Sequence, residues 1–116
     1  MDKPRESYIN TTLISYININ GDVSHISCIG GVSIDSNTTG LSGVIKTLRK
    51  RGYYKVANKT SDSYIWINPG YVTSLHVFED ITKIMFMDGE YLDVTEYQMD
   101  EFKKILKSGG FLVSIN

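Results

Sequence analysis

Apolar residues recur along this chain in two periods. "TLISYINING" alternates apolar and polar positions up to Asn20-Gly21, the dipeptide best suited to a type I′ hairpin turn, so a hairpin is predicted there. In the returning strand "DVSHISCIG", Ile26 and Cys28 fall on one face and Val23, His25 and Ile29 on the other. Either burial changes sides in that strand or Gly30-Gly31 introduces a bulge. The period then changes. "TTGLSGVIKTLRKRG" sets Leu41, Val44, Ile45 and Leu48 at i, i+3, i+4 and i+7, one stripe of an amphipathic helix over about 41–51, which Gly52 can end in the left-handed conformation.

Past that helix the alternation returns in "YYKVAN", in "YIWIN" and, beyond Asn68-Pro69-Gly70, in "YVTSLHVF". Proline fixes the backbone of that tripeptide, which is expected to reverse the chain. "ITKIMFMDGEYLDV" predicts a second hairpin with Asp88-Gly89 at its tip and Ile84 and Phe86 on one face. A second helix is expected over about 96–107, with Thr95 and Gln98 as a capping box, Val94 and Met99 as a hydrophobic staple and Gly109 as its stop. "FLVSIN" has the pattern of a short terminal strand, and residues 1–10 that of a flexible arm or edge strand. The chain reads as one α+β domain over 11–116, mostly β, with antiparallel hairpins forming small sheets around two helices. Leu41, Val44, Ile45, Leu48, Phe86, Phe102 and Leu106 are its expected core.

Composition narrows the class of protein more than it names a function. The length of 116 residues suits one self-sufficient domain. Twelve basic residues against thirteen acidic give a net charge of −1, which excludes nucleic-acid coating by bulk charge and leaves room for a local patch. Cys28 is the sole cysteine, so neither an internal disulfide nor a cysteine-based zinc cluster can form, and a cytoplasmic setting is expected. "MDKPRESYIN" lacks the apolar region of a signal peptide, and no apolar run has membrane-spanning length, so no membrane association is expected.

Candidate chemistry is sparse. His25 and His76 each lie in an apparent strand without a carboxylate at a recognisable spacing, and Cys28 sits among apolar neighbours as a structural thiol does. The paired glycines of "CIGGVS" and "SGGF" match no phosphate-binding fingerprint, and the carboxylates Glu79, Asp80, Asp88, Glu90 and Asp93 have the spacing of solvated hairpin positions. No catalytic residues, metal ligands or cofactor are therefore assigned. One constellation remains: Lys46, Arg49, Lys50, Arg51 and Lys55 interleaved with Tyr53 and Tyr54, followed by Lys59. Cations in a helix's last turn complement its dipole with no ligand at all, and the same cations can position a phosphate backbone. Trp66 is the only tryptophan, and its place in "YIWIN" suits a core anchor.

The order of these segments resembles a LytTR-type DNA-binding domain of bacterial transcription regulators, over about 13–106. "LISYININGDVSHISCIGG" is similar to the family's opening hairpin and "GLSGVIKTLRKRGYYKV" to its helix and the aromatic strand start that follows. "SYIWINPGYVTSL" is similar to its Ser-Tyr strand, and "ITKIMFMDGEYLDVTEYQMDEFKKIL" to its final hairpin and helix. The resemblance implies a stand-alone regulator of bacterial or phage origin, bound to double-stranded DNA. Lys46, Arg49, Lys50, Arg51, Lys55 and Lys59 would meet phosphates, and Ser63 and Thr95 would lie nearer the bases. The chain departs from the pattern at Ser61-Asp62, where the family carries a pair such as His-Arg, and at Thr95-Glu96, where it carries Ser-Arg. "YIWIN" is also one residue longer than the family's strand. The other class of function compatible with the sequence is a non-catalytic protein-binding module, docking a partner through a sheet edge, as a phage or mobile-element inhibitor of a host factor does. A homodimer is compatible with either.

Overall fold

A computed structural model of the chain describes residues 4–57, 63–95, 100–110 and 113–115. Eight strands and two α-helices are found among them: β1 (Ile14–Asn20), β2 (Val23–Cys28), β3 (Ser33–Asn37), α1 (Ser42–Lys50), β4 (Tyr54–Ala57), β5 (Tyr64–Ile67), β6 (Val72–Val77), β7 (Ile81–Phe86), β8 (Tyr91–Thr95) and α2 (Asp100–Ser108). The fold is α+β and mostly β, as the alternation predicts. All pairings are antiparallel, in one five-stranded sheet of order β3-β2-β1-β5-β4 and one three-stranded sheet of order β6-β7-β8.

The five-stranded sheet divides the core in two. On one face, Ile14, Ile17, Ile19, Ile26, Cys28 and Trp66 pack with Leu41 and Leu48 of the α1 segment and with Tyr53. On the other, Tyr16, Val56 and Ile67 meet Ile84, Phe86 and Val94 of the three-stranded sheet and Phe102 and Leu106 of α2. Strict alternation would set Ile14 on the face opposite Ile17. A bulge corrects this: Ile14 pairs with Cys28 and Tyr16 with Ser27, so Ser15 is one residue in excess and Ile14 turns to the α1 side. Ser15 is fully buried there, its hydroxyl donating to the Ser27 carbonyl at 2.9 Å. The irregularity of this hairpin thus lies at Ser15 in β1: Ile26 and Cys28 of β2 keep to one face, and the bulge is not at Gly30-Gly31. Those glycines, both at positive φ, form the β2–β3 connection instead.

Other expectations shift in detail. Asn20 pairs with Val23, so the first hairpin turns on Gly21-Asp22, and the sole positive φ, +62° at Gly21, fits a type II′ turn and not type I′. The second hairpin turns through Met87-Asp88-Gly89, with Gly89 at φ +87°. Asn68-Pro69-Gly70 does not build a hairpin. It moves the chain from the first sheet to the second through a short 3-10 turn, Pro69–Tyr71, whose N-cap Asn68 accepts from the Gly70 N–H at 3.0 Å. α1 follows a 3-10 turn, Thr38–Leu41, and its C-terminus is a Schellman motif. Tyr53 N–H donates to the Leu48 carbonyl and Gly52 N–H to Arg49, with Gly52 at φ +86° and Tyr53 and Leu48 in one apolar cluster. At the end of α2 the left-handed residue is Gly110, not Gly109. Gln98 and Met99, the expected capping and staple partners, lie outside the described residues. Residues 4–10 and 113–115 form no strand.

Candidate nucleic-acid interface

The cation-rich segment is built on that Schellman turn. α1 buries Leu48, with Val44 and Ile45 partly covered, which leaves Lys46 and Lys50 exposed on its other side, Arg49 exposed on its flank and Arg51 exposed at its C-cap. Gly52 turns the chain into β4, the edge strand of the five-stranded sheet, where Lys55 is exposed. Lys55 pairs with Trp66 and Ala57 with Tyr64, so Lys55, Tyr64 and Trp66 share the sheet face that α1 covers.

Two of the cations are braced on aromatic rings. The Arg49 guanidinium carbon stands 5.6 Å from the centre of the Trp66 ring and the Lys55 Nζ 4.2 Å from that of Tyr64, both within cation–π range. Each contact fixes the direction of a long side chain that would otherwise sample many rotamers. Helix, edge strand and neighbouring strand thereby converge on one cationic region, and no acidic residue occurs in the sequence between Asp35 and Asp62. Trp66 is both a core anchor, 4% exposed, and the platform under Arg49, while its Nε1 has no hydrogen-bond partner.

Behind this region Tyr53 ties the parts together. Its hydroxyl donates to the Ile14 carbonyl, lies 3.1 Å from that of Thr11 and accepts from Asn68 Nδ2 at 3.0 Å. Burial, opposed by the Asn68 hydrogen bond, pushes the phenol from 10.0 up to about 12. Tyr71, just past Pro69-Gly70, donates its own hydroxyl to the Thr12 carbonyl. An open cleft of about 290 Å³ lies here, lined by Thr12, Arg51, Tyr53 and Asn68. The turn beside the tryptophan strand thus has a structural task, which is to lock the end of α1 to the start of β1.

Among the predicted site residues, Lys46, Arg49, Lys50, Arg51 and Lys55 are exposed around α1 and β4. Ser63 is half-buried at the entry to β5 and makes contacts of its own. Lys59 lies outside the described residues. Thr95 ends β8 in the three-stranded sheet, paired with Ile81, and is held by a different sheet from the α1–β4 cations. The sequence reading missed Trp66 and Tyr64 as braces, because that role depends on the β4–β5 register. It also missed a carboxylate partner for His25. Cross-strand pairing sets Asp35 opposite His25, with Nδ1 and Oδ1 2.7 Å apart, on the sheet face away from α1. That pair is solvent-exposed, and no cluster of three potential metal ligands occurs among the described residues. Cys28 is buried, and burial raises its pKa, the reverse of what a nucleophilic thiolate needs. No helix of the described residues is long and apolar enough to cross a membrane.

Comparison with family models, with curated proteins and with solved structures finds no match for this chain.

Proposed function

We propose that the chain is a small non-catalytic DNA-binding module, a transcription regulator of the bacterial or phage kind, which engages the phosphates of double-stranded DNA with the cationic region of α1 and β4. One observation carries the reading: Arg49 and Lys55, six residues apart in sequence and on different elements, lie over aromatic rings of the same strand, β5. Cations held in place lose less freedom on meeting phosphate than free ones do. Lys46, Lys50 and Arg51 surround them with flexible charge. The LytTR resemblance supports the same segment, since it brings the helix end and the loop after β4 to the duplex. Ser63 and Thr95 are proposed nearer the bases, on the strength of that resemblance.

The test is a mobility-shift titration of double-stranded DNA at about 50 mM salt, where a few phosphate contacts suffice for a complex. The wild type is expected to bind with a Kd of tens of micromolar or tighter. The variant with Arg49→Glu, Lys50→Glu and Arg51→Glu is expected to stay folded by circular dichroism and to lose the complex. No wild-type complex in that range, or equal binding by the variant, would remove the proposal.

A further inference from the structure

We infer that the chain associates with a second copy of itself, head to tail, through the β6–β7 turn of one copy and the cationic end of α1 in the other. The turn is compact: Phe78 N–H donates to the Ile81 carbonyl at 2.8 Å and closes a loop of Glu79 and Asp80. It presents an aromatic side chain 55% exposed between Val77, also exposed, and two exposed carboxylates. Neither carboxylate has an ion-pair partner among the described residues, and no Lys or Arg occurs in the sequence between Lys59 and Lys83. Lys83, the one lysine or arginine of the three-stranded sheet, lies over the Tyr91 ring, 4.4 Å from its centre, and forms no ion pair with either carboxylate among the described residues.

An exposed phenyl ring flanked by free carboxylates is a receptor for a guanidinium, which stacks on the ring while its N–H groups meet the oxygens. The same molecule carries the complement. Arg51 and Lys50 project from the C-terminal end of α1 with no ion pair among the described residues. Residues 4–57 hold six cations against three acids, whereas 63–95 with 100–110 hold four against seven, so opposite charges lie on different parts of the chain. Donor and receptor are different surfaces, so the contact is heterologous and adds copies in a row. It is also salt-sensitive, because both partners are exposed.

The experiment is sedimentation velocity on the full chain from micromolar concentrations to about 1 mM, at about 50 and 500 mM salt. The expected result is a sedimentation coefficient that climbs with concentration at low salt and stays monomeric at high salt. Phe78→Ala should weaken the association about fivefold. A variant with Glu79→Lys and Asp80→Lys, and one with Lys50→Glu and Arg51→Glu, should each be monomeric alone. Mixed one to one they should form a complex, because the first keeps the wild-type cations and the second the wild-type acids. Concentration-independent monomers at low salt overturn the inference, as does unchanged association of either charge variant. Binding of the turn to an arginine-rich peptide by a wild type that never self-associates also overturns it, in favour of a foreign partner.

Discussion

The two layers that cover the five-stranded sheet bury like residues and differ in the balance of the charges they expose. On the α1 side, Leu41, Leu48 and Trp66 lie under a surface of Lys46, Arg49, Lys50, Arg51 and Lys55. On the other side, Phe86, Phe102 and Leu106 are buried in a layer whose two hairpin turns carry exposed Glu79, Asp80 and Glu90 and whose helix α2 adds exposed Lys104 and Lys107. Burial of apolar area is indifferent to the sign of the charges above it, so the interiors say how the chain folds and nothing about what it binds. The exposed charges restrict its partners. A net charge of −1 hides this division, which is why the overall balance is a poor guide to the surface.

The largest effects are expected at the two cores. Phe102 is fully buried and stacks at 5.0 Å on Tyr54 of β4, so it links α2 to the five-stranded sheet. Phe102→Ala is expected to destabilise the fold by about 3–5 kcal/mol in denaturant melts, and Leu48→Ala, on the opposite face, by about 2–5 kcal/mol. If the layers form one cooperative domain, each variant lowers a single transition. A biphasic melt in which only one layer responds would split the domain.

A smaller effect separates the α1 side by pH. The Tyr53 phenol has a raised folded pKa, about 12 against 10.0, so the neutral form is favoured in the native state. Its contribution is complete below pH 10.0 and disappears as the pH rises through about 12, with a span of about 3 kcal/mol. Tyr53→Phe should lower stability at neutral pH by about 1 kcal/mol and flatten this alkaline loss, measured by denaturant melts at pH 9, 10 and 11. An equally steep loss in the variant would place its origin elsewhere.

The smallest effect concerns Glu96, which lies outside the described residues and stands where the LytTR pattern has arginine. If it approaches the duplex, Glu96→Arg should tighten DNA binding roughly two- to fivefold, the scale of an exposed charge contact of about 0.4–1 kcal/mol. No change in affinity would separate that residue from the interface.

How far the sequence discloses this molecule depends on how local each feature is. Leu41, Leu48, Phe86, Phe102 and Leu106 are legible as core because periodicity within one element determines their face. β3 is not legible: "SIDSN" holds a single apolar residue and is an edge strand that exists through its pairing with β2. The bulge at Ser15 is equally hidden, since a small polar residue gives no sign that it will be buried and bonded to a carbonyl twelve positions away. The cationic cluster is half legible. Its residues stand out in the sequence, but their bracing on Trp66 and Tyr64 requires a strand register across the segment between β4 and β5.

Whether the cationic side of α1 and β4 meets phosphates is decided by the salt dependence of DNA affinity. A titration by fluorescence anisotropy between about 50 and 200 mM salt should give a log–log slope of roughly −3 to −5, the release expected from a few neutralised phosphates. The variant with Arg49→Glu, Lys50→Glu and Arg51→Glu should retain no measurable slope because it retains no complex. A wild-type affinity that is flat in salt, or absent at the lowest salt, would rule out phosphate binding by this surface.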